Sequence, residues 1–166
     1  MTARKLVALA TGIGLISVLA VASPANAAPG GLPSTTTVVN KVAHKNYINK
    51  SQVLGECRTV TAGQTCSFAN ATSSTRTVQV ALGVSKGFVT GSLNISSATT
   101  VSVTVSCTSG VMKAGQRYRA WPIGTRYDYR IKRAWNSVLF PNKPAEYSKV
   151  LHAFNPGKNR YACGVV

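Results

Sequence analysis

Glu56, Asp128, Glu146, His44 and His152 are the only carboxylates and imidazoles in this 166-residue sequence, and a hydrolase would need at least two of them to converge. A small basic ribonuclease could use His44 and His152 as acid and base, with an arginine holding the phosphate. The plainer reading makes both of them surface histidines. Asp128 stands among arginines, where a carboxylate reads as an ion-pair partner rather than a base. There is no Gly-x-Ser-x-Gly elbow, no His-Glu-x-x-His helix and no phosphate-cradling glycine loop. The sequence therefore predicts no enzyme, and ribonuclease is its least favoured function.

Binding chemistry is better supplied. Nineteen Lys and Arg face three acids, for a formal charge of +16. The excess peaks between Lys113 and Trp135, where basic side chains alternate with Tyr118, Trp121, Tyr127, Tyr129 and Trp135. Guanidinium pairs with phosphate through two parallel hydrogen bonds and stacks on aromatic rings, so the stretch points to an anionic partner. The candidate ionic contacts are Arg117, Arg119, Arg126, Arg130, Lys132 and Arg133. Trp121, Tyr127 and Tyr129 are the candidate stacking or interfacial side chains; the competing reading turns these aromatics into a sheet core. An anionic envelope polymer or an anionic membrane surface is the expected partner, with another secreted protein as an alternative. Nucleic acid is less favoured, because no recognition motif for it is present.

These side chains must be carried on strands. From Val38 onward the chain is rich in Val, Thr, Ser and Tyr with Gly or Pro punctuation, which predicts an all-β fold. The expected architecture is a disulfide-stapled antiparallel β-sandwich or sandwich-like sheet of six to eight strands. Three hairpins are expected. In the first, Gly87 to Ile95 pairs with Thr100 to Thr108 around a reversal at Ser96 to Thr99, within 26 uncharged residues from Gly87 to Met112. In the second, Trp121-Pro122-Ile123-Gly124-Thr125 is a turn between Gln116–Trp121 and Thr125–Arg133. In the third, Asn155-Pro156-Gly157-Lys158 turns between a strand near Tyr147 to Phe154 and a last strand carrying Tyr161 and Cys163.

Residues 1–27 have the layout of a secretory signal: Arg4 and Lys5, an apolar run from Leu6 to Ala22, then Ala25-Asn26-Ala27 as a small-residue cleavage site. Residues 28–37 read as a flexible leader and 38–166 as a single secreted β-domain, placing the mature protein outside the cell. All four cysteines lie in that domain, and an even number in an oxidising compartment reads as disulfides. Gly63 offers a turn between Cys57 and Cys66, which favours that pair and leaves Cys107 with Cys163. On a loop-entropy model the two links contribute about 3 and about 4 kcal/mol. The cysteines lack the close paired spacing of zinc ribbons, so no metal and no cofactor is expected.

The leader, its cleavage site and the small cysteine-bearing domain resemble small secreted proteins of high-GC Gram-positive bacteria, a likeness that implies no function. The Ser/Thr-rich alternation of Gly87 to Cys107, with Val101-Ser102-Val103-Thr104-Val105 at its centre, resembles the membrane-insertion hairpin of aerolysin-type β-pore-forming toxins. That resemblance implies strands that face lipid on one side and water on the other. An ordinary half-buried sheet has the same pattern.

The favoured function is thus non-enzymatic binding to an anionic surface or polymer, in an antimicrobial or envelope-associated role. The alternatives are a membrane-inserting toxin and a subunit of a secreted protein assembly.

Overall fold

The computed structural model describes residues 34–136, 138–139 and 141–166. The expected signal segment 1–27 and the first part of the expected leader lie outside the described residues. The fold is all-β, with eight strands and one short helix among the described residues: β1 (Ser34–Ile48), β2 (Gly55–Arg58), β3 (Ser67–Thr75), β4 (Thr77–Val78), α1 (Lys86–Ser92), β5 (Thr100–Thr108), β6 (Arg117–Trp135), β7 (Glu146–Tyr147) and β8 (Leu151–Val165). A six-stranded sheet runs β1-β6-β8-β4, with β2 and β7 also paired to β6, and a separate two-stranded sheet joins β3 to β5.

The strand order begins four residues earlier than the sequence suggests. Ser34 pairs with Trp135 and Thr37 with Lys132, so residues 34–37 belong to the sheet and not to a leader. Their Ser/Thr composition offers no core face, but β6 is long enough to supply partners for their backbone. Asn40 and Asn46 take left-handed φ of 53° and 59° near the two register shifts of β1. These bulges twist an outer strand that also carries Lys41 and Lys45, a common guard against edge pairing.

Two expected turns are instead bulges inside long strands. Pro122 and Gly124 lie within β6, and Pro156 and Gly157 within β8. Gly124 pairs with Pro156 while Pro122 pairs with Tyr161, so the ladder shifts register where two prolines cannot donate. Glycine is needed there, since a Cβ on Gly124 would stand 2.3 Å from the Asn155 carbonyl oxygen.

The expected hairpin of Gly87–Ile95 with Thr100–Thr108 does not form. Thr100–Thr108 pairs with β3 over its whole length, from Thr100↔Thr75 to Thr108↔Ser67. Lys86–Ser92 is helical: the Ser85 hydroxyl accepts from the Phe88 N–H at 3.1 Å as an N-cap, and Val89 and Leu93 fall four apart on the buried face. Val89, Leu93 and Ile95 fit a period of two only because Gly91 leaves the intervening position blank.

One core cluster gathers Val89, Leu93 and Ile95 against Tyr129, Ile131, Leu151 and Ala153. The other packs Val103, Val105 and Cys107 of β5 on Leu54 and Ala120, with Phe68, Tyr118, Tyr161 and Cys163 around them. The disulfides are Cys57–Cys66 and Cys107–Cys163, as the turn at Gly63 suggested. Cys66 precedes β3 and Cys107 pairs with Phe68, so both links fasten the same end of the two-stranded ribbon to the large sheet.

Candidate functional site

β6 carries all six expected anion contacts, but most are already engaged. Glu56 on β2 pairs closely with Arg119 and lies 3.6 Å from Arg117. Arg126 Nε donates to Asp128 Oδ1 at 3.0 Å, and Arg133 sits 3.7 Å from Glu146 while donating to the Leu82 carbonyl. Among the described residues, Arg130 and Lys132 are the two of the six without a carboxylate partner; Lys132 Nζ lies 5.7 Å from the centre of the Tyr147 ring. The three acids of the chain each neutralise part of one stripe.

The aromatic assignments require correction. Tyr129 is 1 % exposed and Trp121 6 %, so neither offers a free ring for stacking, and Tyr127 is half-buried with part of its ring against the core. Alternation places Tyr127 and Tyr129 on the face that α1 covers. Burial pushes the Tyr129 phenol up to about 12, and its hydroxyl donates to the Gln79 carbonyl.

Pairing of β1 and β8 with β6 brings both histidines to Asp128. His44 stands opposite Arg126, and His152 opposite Asp128. His44 Nε2 is 3.2 Å from Asp128 Oδ2, and His152 Nδ1 is 2.7 Å from Oδ1. Arg126 Nη2 also lies 3.1 Å from His152 Nδ1. One ring nitrogen cannot donate to the carboxylate and accept from the guanidinium at once; the shorter distance assigns an Nδ1 proton shared with Asp128 and leaves Nε2 directed elsewhere. Partial burial works against the Asp128 carboxylate, but hydrogen bonds from His152 and Arg126 outweigh it and hold its pKa below the ordinary value. Burial likewise opposes the charge on Arg126, and its bonds to Asp128 and Tyr47 overcome that and raise its pKa. Each imidazole therefore spends one nitrogen on the same carboxylate.

The ribbon has chemistry of a different kind. Beyond Thr75↔Thr100 the ladder continues one step, with the Arg76 N–H donating to the Thr99 carbonyl at 2.7 Å. Then the strands part: Thr77 and Val78 join β8 opposite Phe154 and Ala153, and the chain folds through α1 onto the large sheet. Carried further in the same register, Val78, Val80, Leu82 and Val84 would share a face with Val89, Leu93 and Ile95. The opposite face would hold Thr77, Gln79, Ala81, Gly83 and Ser85 with Thr90, Ser92, Asn94, Ser96 and Ala98. The arms Thr77–Lys86 and Val89–Ala98 would then be joined by Gly87-Phe88. Six of those seven apolar side chains now lie in or against the core, and Val80 is exposed. Leu82 holds φ at 53°, the one positive-φ non-glycine among the described residues that is not asparagine, a conformation costing about 1–2 kcal/mol.

The alternation of Val78, Val80 and Leu82 with Thr77, Gln79 and Ala81 is plain in the sequence, but the partner that β3 would give it is not. Ser67–Thr75 has Phe68 as its one large apolar residue, so β3 shows no strand signal of its own. The convergence of His44, Asp128 and His152 depends on pairings 84 and 24 residues apart, which no local spacing encodes. No family model, curated protein or solved structure matches this chain.

Proposed function

We propose that this is an exported, non-enzymatic protein that attaches to an anionic membrane through its basic surface and inserts residues 76–99 as a β-hairpin. The observation that carries this reading is the β3–β5 register, whose continuation gathers seven apolar side chains on one face, with Ser97 near the base and Lys86 beside the turn, and small or uncharged polar ones on the other. A strand needs about 9–11 tilted residues to cross the hydrocarbon core, and the two arms have that length. Their charges sit only at the ends, Arg76 at the base and Lys86 beside the turn. Several copies would close a barrel with lipid-facing apolar and lumen-facing hydroxyl side chains, leaving no open strand edge. Cys66 and Cys107 support the same reading, because they tie down the end of the ribbon that would stay behind.

Val80 provides the test, because it is 41 % exposed in the folded chain yet would lie on the lipid-facing side. Val80→Lys keeps the fold and the positive charge but puts an ammonium near the bilayer midplane, at about 2–4 kcal/mol per copy. With dye-loaded phosphatidylglycerol vesicles, the parent protein should bind and release dye, and the variant should bind without release. Equal release by both proteins, or none by the parent, would refute insertion.

A second reading, attachment to an anionic envelope polymer without insertion, is favoured by the exposed Arg130 and by Lys132. It predicts binding that weakens strongly with salt and leaves vesicles sealed.

A further inference from the structure

Beside the Asp128 cluster the sheet forms an open surface cavity of about 230 Å³, with walls that include Tyr47, Asn49, Thr77, Arg126, His152 and Phe154. Its polar atoms are mostly donors without acceptors. Arg126 commits Nε to Asp128 and one further bond to Tyr47, which leaves other guanidinium N–H groups for a ligand. His152 commits Nδ1 to the same carboxylate, leaving Nε2 in the same condition. Asn49 uses its side-chain oxygen to accept from the Ser51 backbone N–H and hydroxyl, at 3.3 and 2.6 Å, which turns its amide nitrogen into the available group. The Thr77 hydroxyl likewise has no hydrogen-bond partner among the described residues. Asp128 itself is not part of the wall, so the carboxylate orients the donors without occupying the site.

We infer that this cavity binds a phosphate ester. A tetrahedral oxyanion accepts from several directions at once and matches a guanidinium edge, an imidazole, a hydroxyl and an amide better than a planar carboxylate does. The cavity is larger than an inorganic phosphate requires. Its remaining wall is the edge-to-face pair Tyr47 and Phe154, with ring centres 6.1 Å apart, and the Arg126 guanidinium lies 5.5 Å from the Tyr47 ring centre. A small organic substituent on the phosphate would rest against those rings. The ester comes either from a lipid headgroup or from a free metabolite; the recognition chemistry is the same, and it does not depend on membrane insertion.

The experiment is a titration of sn-glycerol 3-phosphate into the full chain, followed by calorimetry and by the His152 ring nitrogens in NMR. One saturable site is expected, with a shift at His152 Nε2 larger than at His44. Thr77→Val removes one donor without changing charge and is expected to weaken binding about fivefold. Arg126→Lys keeps the charge, removes the fork and should weaken it further; circular dichroism checks that both variants fold. Displacement of the protein from phosphatidylglycerol vesicles by the soluble ester would assign the site to headgroups, and saturable binding without displacement would assign it to free esters. Unsaturable binding, or parent-like affinity in both variants, would overturn the site.

Discussion

The backbone N–H of Arg76 donates to the carbonyl of Thr99 at 2.7 Å, and this bond is the last rung of the ribbon before its two strands diverge. One residue later Thr77 pairs with Phe154 and Val78 with Ala153, so the fork is held open by two residues on β8.

A covalent link across that fork is expected to prevent insertion. Val78→Cys with Ala153→Cys joins directly opposed residues of an antiparallel pair, whose Cβ separation suits a disulfide after a small adjustment. The oxidised double variant should bind anionic vesicles as the parent does and release no dye, while each single variant releases it. Dye release from the cross-linked protein would show that β4 need not leave β8.

Stabilising the helix should slow the same step. Gly91 lies in α1 with no atom within 4 Å of an added Cβ, so Gly91→Ala gains about 0.5–1 kcal/mol of helix stability without a clash. Denaturant unfolding should shift to higher concentration by that amount, and dye release should slow. A faster release would mean that α1 does not unwind in the limiting step.

Asp128 makes stability depend on acid pH in a defined direction. Its folded pKa is depressed, so its contribution is fully present above the ordinary aspartate range and is lost as pH falls through the lower folded value. Asp128→Asn should cost about 1–2 kcal/mol at neutral pH and flatten the acid limb of the stability profile. Parallel profiles for the two proteins would show that Asp128 does not set the acid limb.

Tyr129 acts at the opposite extreme. Its phenol is raised to about 12, so the folded protein disfavours tyrosinate, and stability should decline as pH rises above the ordinary tyrosine value near 10. Tyr129→Phe removes the bond to the Gln79 carbonyl and should cost about 1 kcal/mol at neutral pH, while reducing that alkaline decline. Thermal unfolding at neutral and alkaline pH measures both effects.

Strand content and the disulfide pairs were legible in the sequence because they depend on local signals: β-branched alternation, cysteine number and a glycine turn. Connectivity was not. Pro122-Ile123-Gly124 and Pro156-Gly157 look like turns in any single segment, and they become bulges only because β6 and β8 meet at those residues. The helical Val89 and Leu93 also satisfy a strand period, since Gly91 contributes no side chain to break the tie. The basic stripe was visible, but its neutralisation by Glu56, Asp128 and Glu146 required partners that lie on β2, β6 and β7.

Both disulfides lie at the same end of the β3–β5 ribbon, and the other end, beyond Thr75 and Thr100, carries no cross-link. Release of residues 76–99 would leave β1, β6, β8, both cross-links and the cluster around Val103 in place. It would also strip the cover from Tyr129, Ile131, Leu151 and Ala153. Rewetting that stripe and the departing side chains costs on the order of 10 kcal/mol, more than the strain at Leu82 returns. On the proposed reading a lone copy in water stays closed, and opening would become favourable only in company, where neighbouring copies or a bilayer supply the dry surface that one chain gives up.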